Sequence, residues 1–399
     1  MHEAINLIDR TPDPAGTGRR LFTEKTAQMA RKFHRSFPEY KPTPLVNLKG
    51  MAADLGVAGI YVKDESYRFG LNAFKVLGGS YSIGRYIAKQ LDMDIQELPY
   101  EMLVSESVKH KLGETVFVTA TDGNHGRGVA WTANRLGQKS VVYMPKGSAR
   151  ERLENILALG AEASITDMGY DDAVRYACQQ SEEKGWALIQ DTSWEGYEEI
   201  PTWIMQGYTT LAYEAVEQLG DVRPTHIFLQ AGVGAMAGAL TGFFSDYYGG
   251  DAPVITIVEP NQADCIFRTA KADDGGLHAV NEPMNTIMAG LSCGEACSIG
   301  WRQIAAGASH FLSVPDWVAA KGMRVLGNPL PGDPRVISGE SGAVTFGIVA
   351  EAMQNERLLS IRERLGLDEN SRILCVSTEG DTDRENYRRI VWDGAWPSF

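Results

Sequence analysis

Cysteine is scarce in this chain. Five residues in 399, at positions 178, 265, 293, 297 and 375, are too few and too scattered for a disulfide scaffold. Cys293 and Cys297 have no cluster of His or Cys around them in the sequence, so no metal site is expected. Positive charge is also in deficit. Thirty-eight basic residues face 51 acidic ones, a formal charge of −13, which argues against a broad nucleic-acid or anionic-membrane surface. Long apolar runs are missing too. The charge-free stretch from Ile227 to Ser245 contains four glycines, Gln230, Thr241 and Ser245, and it reads as strand, turn and helix rather than a membrane span. The opening MHEAINLIDR carries acids and no apolar core of a secretory signal, so a cytoplasmic protein is expected. Internal repeats and low-complexity linkers are absent.

What is present is ordinary for an enzyme: 44% hydrophobic and 22% charged residues, in a length sufficient for two or three domains. Glycine stands out, at 42 residues. The first forty residues are polar and locally basic and predict a solvated helix packed on the body. Beyond Pro42 and Pro44, β-branched runs alternate with helical periods. Strands are predicted at Ile60–Lys63, Val116–Thr119, Ser140–Met144, Ala163–Thr166, Ala187–Gln190, His226–Leu229, Val254–Val258 and Ile373–Val376. Crossover helices are predicted at His125–Leu136, Arg150–Leu159 and Asp171–Lys184, with long helices near 200–219 and 338–356. The fold class is therefore α/β: two parallel-sheet units with helices on both faces, one of them spanning 76–194. Ligands in such folds sit beyond the carboxyl ends of strands.

Four loops carry the chemistry. Ala231-Gly232-Val233-Gly234-Ala235-Met236-Ala237-Gly238 follows a strand and opens a helix, an arrangement that cradles phosphate with backbone N–H groups. It fits G-x-G-x-x-A, and Glu259 ends the next strand where a ribose-binding acid would stand, so a dinucleotide site is a second reading of the same loop. Gly70 to Gly79 places Lys75 beside Phe74 at the opening of an apolar helix, where burial would favour a neutral, nucleophilic amine; the bland alternative is a snorkelling lysine. Thr119 to Gly126 contains Asp122, Asn124 and His125, of which the first two serve equally well as turn and cap residues. Ser377 to Asp383 follows the last strand. Glu340, in Ser338-Gly339-Glu340-Ser341, suits the first turn of a helix.

Taken together, FGLNAFK from Phe69, TATDGNHGRGVAW, QDTSWEGY, PTWIMQGY, LQAGVGAMAG, GNP, ISGESGAV and STEGDTD span residues 69 to 383. The chain resembles the fold type II (tryptophan-synthase-like) pyridoxal-phosphate enzymes, and most closely the branch of ammonia-lyases acting on 2,3-diaminopropionate. The resemblance implies a large cofactor-binding domain made of residues 1–75 and 195–399, a small domain of 76–194, and a homodimer. It implies pyridoxal 5′-phosphate held as a Schiff base on Lys75, with Phe74 beside the ring and Asn124 on the ring hydroxyl. Backbone donors of Gly232, Val233, Gly234, Ala235 and Met236 would hold the phosphate, and Ser377 or its neighbour Thr378 would meet the pyridine nitrogen.

Departures from the serine and threonine dehydratases of the same group are informative. Asp122 stands where they carry a serine near the substrate carboxylate. With Asp191, it would face a second ammonium, which favours 2,3-diaminopropionate over serine. The expected reaction is α,β-elimination of either isomer to pyruvate and two ammonia, with Lys75, Asp122 and Asp191 as catalytic residues. The alternatives are a serine/threonine dehydratase, an NAD-dependent oxidoreductase resting on Gly232, Gly234 and Glu259, and a non-catalytic amino-acid binder. Cys265 and Cys293 could approach each other, but a persistent disulfide is not expected in a reducing cytosol.

Overall fold

A computed structural model describes residues 4–13, 20–121 and 123–398. Apolar, β-branched blocks form its strands. The segment His226–Gln230, with sequence HIFLQ, is buried at every position, as a parallel strand covered on both faces must be. In chain order the strands are β1 (Asn6–Asp9), β2 (Leu45–Asn47), β3 (Gly59–Asp64), β4 (Val116–Ala120), β5 (Lys139–Met144), β6 (Glu162–Ile165), β7 (Ala187–Leu188), β8 (His226–Gln230), β9 (Val254–Pro260), β10 (His310–Val314) and β11 (Arg372–Ser377). Seven of them form a sheet in the order β1-β10-β9-β8-β11-β3-β2, and four form a second in the order β6-β5-β4-β7. The second sheet is wholly parallel. In the first, only the outer pairs β1–β10 and β2–β3 run antiparallel.

The predicted strands are all present within a residue or two, except that β7 closes after Leu188. Three further strands, β1, β2 and β10, complete the larger sheet. The predicted helices appear as Asn124–Arg135, Arg150–Leu157, Tyr170–Lys184, Glu199–Leu219 and Glu340–Gln354. The charge-free stretch divides into β8, a turn and helix Ala235–Tyr248. Among the described residues no helix is long and apolar enough to cross a membrane.

Two devices bring the halves of the site together. Helix Val76–Gln90 lies against helix Asn124–Arg135 so closely that a Cβ on Gly128 would stand 2.7 Å from the Val76 Cα; only glycine permits this approach. The helix Glu24–His34 buries Ala27, Ala30, Phe33 and His34. The His34 Nε2–H donates to the Leu77 carbonyl at 2.9 Å and Nδ1 accepts from the Thr210 hydroxyl at 2.8 Å. Burial, followed by the Arg68 charge, keeps that imidazole neutral down to about pH 3.

Candidate active site

Lys75 immediately precedes helix Val76–Gln90. The segment leading to it is pinned at two levels. Arg68, fully buried, forks onto Glu65 at 2.8 Å and reaches Glu214 at 2.7 Å, and Lys63 meets the same Glu214 at 2.8 Å. Two cations facing two carboxylates satisfy a cluster that would otherwise be costly inside the protein. Nearer the lysine, the Phe74 N–H donates to the Thr378 carbonyl at 3.0 Å and the Gly380 N–H to the Asn72 carbonyl at 3.0 Å. These bonds dock the lysine loop on the carboxyl end of β11.

The Lys75 Nζ donates to Asp191 Oδ2 at 2.9 Å, with the two side chains 17% and 5% exposed. Burial would raise the Asp191 carboxyl, but the charges of His125 and Lys75 and the lysine hydrogen bond together hold it down at about 2. The Tyr170 hydroxyl donates to the other oxygen, Oδ1, at 3.3 Å. His125 is buried, with Nε2 on the Ile189 carbonyl at 2.7 Å and Nδ1 3.9 Å from Asp191 Oδ2. Asn124 Nδ2 donates to Glu379 Oε2 at 2.5 Å.

Lys75, Asp191, Tyr170, Asn124 and Glu379 line a cavity whose far wall is the glycine loop after β8. Helix Ala235–Tyr248 begins at Gly234, with φ +86° and no side-chain cap, so its first N–H groups are available to an anion. A Cβ on Gly232 would come within 3.1 Å of the Leu291 Cα and 3.2 Å of the Cys293 Sγ. The loop therefore presents bare backbone to the cavity. A wider mouth of about 520 Å³ adjoins it, bounded by residues 145–149 and 284–287, by Ser292 and by Glu340.

Lys75, Asp191, Phe74, Asn124, Gly232, Val233, Gly234, Ala235, Met236 and Thr378 all line the inner cavity. Ser377 does not. Its hydroxyl turns away to Ser338 at 2.8 Å, because consecutive residues at a strand end face opposite ways, and the neighbour Thr378 takes the wall. Asp122 lies outside the described residues. Glu259, read above as a ribose acid, accepts the backbone N–H groups of Ile266 at 2.9 Å and Phe267 at 2.6 Å. It caps helix Cys265–Ala272 and is closed to a ribose. No disulfide joins Cys265 and Cys293: Cys265 Sγ points to the Gly232 carbonyl at 3.7 Å, and Cys293 lines the cavity.

Among the wall residues that sequence reasoning did not name as site residues, four carry unanswered polar atoms. Tyr208, Gln230, Ser341 and Glu379 are buried, and Tyr208 Oη, Gln230 Oε1, Ser341 Oγ and Glu379 Oε1 have no hydrogen-bond partner among the described residues. Such atoms are costly unless a ligand answers them. Two hydroxyls, two acceptor oxygens, a lysine amine and a bare N–H cradle match a ligand combining an aldehyde, a phosphate, a ring hydroxyl and a ring nitrogen. Pyridoxal phosphate is such a molecule.

The chain belongs to the family of pyridoxal-phosphate dependent enzymes, whose model matches residues 37–378. Within that family it is 50% identical over 401 residues to the diaminopropionate ammonia-lyase of Salmonella typhimurium, covering 99% of each chain. Solved structures of the Escherichia coli diaminopropionate ammonia lyase superpose along almost the whole length. The complex with D-serine gives a TM-score of 0.91 at 48% identity, covering 99% of this chain and 98% of that one. The complex with an aminoacrylate-PLP azomethine reaction intermediate gives 0.89 at 48% identity, covering 98% of each.

Proposed function

We propose that this chain eliminates ammonia from 2,3-diaminopropionate: one substrate and one water give pyruvate and two ammonia. The observation that carries the reading is the Lys75–Asp191 pair set against the bare glycine loop, in a chain 50% identical end to end to a diaminopropionate ammonia-lyase. When bound, the cofactor supplies the electron sink that makes the substrate α-hydrogen acidic.

The chain's own residues supply position and proton traffic. The N–H groups from Gly232 to Met236 would hold the phosphate, with Phe74 beside the ring. Asn124, steadied by Glu379, would meet the ring hydroxyl, and Thr378 rather than Ser377 would meet the ring nitrogen. Lys75 Nζ receives the α-proton of the L-isomer. Asp191, ionised far below neutral pH, is the counter-charge for whichever ammonium stands before it, that of Lys75 or that on the substrate β-carbon. The reading includes a large domain of 1–75 and 195–399, a small one of 76–194, and a homodimer, all three supported by family resemblance. Cytoplasmic placement is supported by the sparse, scattered cysteines.

Lys75 serves one face of the substrate. A D-isomer held by the same carboxylate and β-ammonium turns its α-hydrogen to the other face, and we assign Asp122 as the base there. D-Serine bound to the Escherichia coli relative supports room for that configuration. The test is kcat/KM for D- and L-2,3-diaminopropionate in Asp122→Asn with cofactor bound. Turnover of the D-isomer should be lost far more completely than that of the L-isomer. Equal losses would reduce Asp122 to substrate binding, and a wild-type enzyme inactive on the D-isomer would remove the two-base scheme.

A further inference from the structure

Gln230, the last residue of β8, is 2% exposed and reaches across to the end of β11. Its Nε2 faces three acceptors: the Val376 carbonyl at 2.9 Å, the Ser341 carbonyl at 3.0 Å and the Thr378 Oγ1 at 3.1 Å. The two carbonyls settle which end of the amide lies there, because turning it over would set Oε1 against two other carbonyl oxygens. An amide –NH₂ donates and does not accept. The amide's two hydrogens are shared among the three acceptors, so the Thr378 hydroxyl cannot donate on this side and its own hydrogen has to leave in another direction. The side open to it is the cavity, whose wall includes both Thr378 and Gln230.

We infer that Gln230 is a positioning residue that fixes the Thr378 hydroxyl as a hydrogen-bond donor to the pyridine nitrogen, so that the nitrogen is held without a proton. The inference rests on the reading that Thr378 faces that nitrogen. An amide –NH₂ beside a threonine reverses what a carboxylate there would do. A carboxylate would take the threonine hydrogen, leave its oxygen as an acceptor and favour a protonated ring. The choice of residue at 230 thus sets the charge of a ring it does not itself bond.

The experiment loads the full-length enzyme with ¹⁵N-pyridine-labelled cofactor and reads the ring-nitrogen resonance across pH, since protonation moves it strongly. Wild type should show an unprotonated, hydrogen-bonded nitrogen. Gln230→Met keeps the length of the side chain and removes the donor. The Thr378 hydrogen can then turn to the Val376 or Ser341 carbonyl, and the resonance should move toward the protonated range at neutral pH. Thr378→Val should leave an unprotonated nitrogen that has lost its hydrogen bond, and Thr378→Ser should restore the wild-type position.

A protonated nitrogen in wild type would overturn the inference. So would a Gln230→Met resonance identical to wild type while Thr378→Val shifts, and in that case the placement of Thr378 would stand. If neither variant moves the resonance with cofactor fully bound, Thr378 does not face the ring nitrogen and both statements fall. The resonance separates positioning from a structural role, because a packing defect alone would change cofactor affinity without changing the protonation of the ring.

Discussion

Replacing Asp191 by asparagine in the cofactor-free protein isolates the charge that holds Lys75, because Nζ is there a plain ammonium. Asparagine keeps the shape and still offers Oδ1 at the position of the 2.9 Å bond, so what is lost is the charge and the weaker 3.3 Å bond from the Tyr170 hydroxyl, which can rotate away. The carboxyl lies at about 2 against an ordinary 3.8, the charges of His125 and Lys75 outweighing the opposing effect of burial. At 1.36 kcal/mol per pKa unit, that depression corresponds to about 2 kcal/mol of folding stability at neutral pH. For a chain of this length, with unfolding entropy of about 2 cal/mol/K per residue, the melting temperature should fall by about 2 to 3 °C. The sign of the pH dependence follows from the depression. The contribution is fully present above the unfolded value near 4 and is lost as the pH falls through the folded value near 2. The gap between wild type and Asp191→Asn should therefore narrow by about 1 kcal/mol between pH 5 and 3. Urea titrations at four or five pH values measure it. A gap that keeps its size down to pH 3, or no gap at pH 7, would show that Asp191 holds Lys75 by shape and not by charge.

Gly234→Val has to place a β-branched residue at φ +86° with its Cβ 3.0 Å from the Ile266 Cδ1; cofactor affinity, measured by equilibrium titration, should weaken several-fold or more, and unchanged affinity would leave the loop a packing device only. Gly128→Ala sets a methyl 2.7 Å from the Val76 Cα and should destabilise the fold by roughly 1 to 3 kcal/mol while weakening cofactor binding, since it wedges Lys75 away from Asn124; a variant as stable as wild type would refute the close approach. Glu340 is raised from 4.5 to about 7, first by burial and then by the charge of Glu379. The folded protein thus keeps a proton that the unfolded chain releases, and stability falls as pH rises from about 4.5 to 7. Glu340→Gln, which can still accept from Asn386, should match wild type near pH 4 and exceed it by about 3 kcal/mol at pH 8; equal stabilities at pH 8 would refute a buried, proton-retaining carboxyl.

How far the sequence discloses such a site depends on whether the signal is local. Lys75 beside Phe74, the bare Gly232–Met236 turn and Asn124 opening a helix are each legible within ten residues, because strand, turn and helix periods all fall inside that window. The strands β1, β2 and β10 are not. β1 and β2 are only three or four residues long, and β10 follows directly on a helical run, so their pairing partners supply what periodicity does not. Ser377 and Thr378 show the same limit more sharply. They differ by one step of a two-residue period, and only the cavity's position relative to the pleat decides which hydroxyl is available.

Glu259 and Gln230 carry the point to chemistry. Both are polar residues at or near the end of an apolar strand after a similar run of sequence, and pattern alone gives either one to a ligand. Glu259 is consumed by two backbone N–H groups seven and eight residues ahead, a local duty hidden behind a familiar spacing. Gln230 is spent on carbonyls and a hydroxyl 111 to 148 residues away, a duty that no window contains. The acid that looked functional is a helix cap, and the amide to which no role was assigned lies against the Thr378 hydroxyl in the site. A strand-end polar residue therefore acquires a function from where its donors and acceptors must point once the two sheet ends meet, and hydrogen-bond direction is the property that the folded chain adds to its sequence.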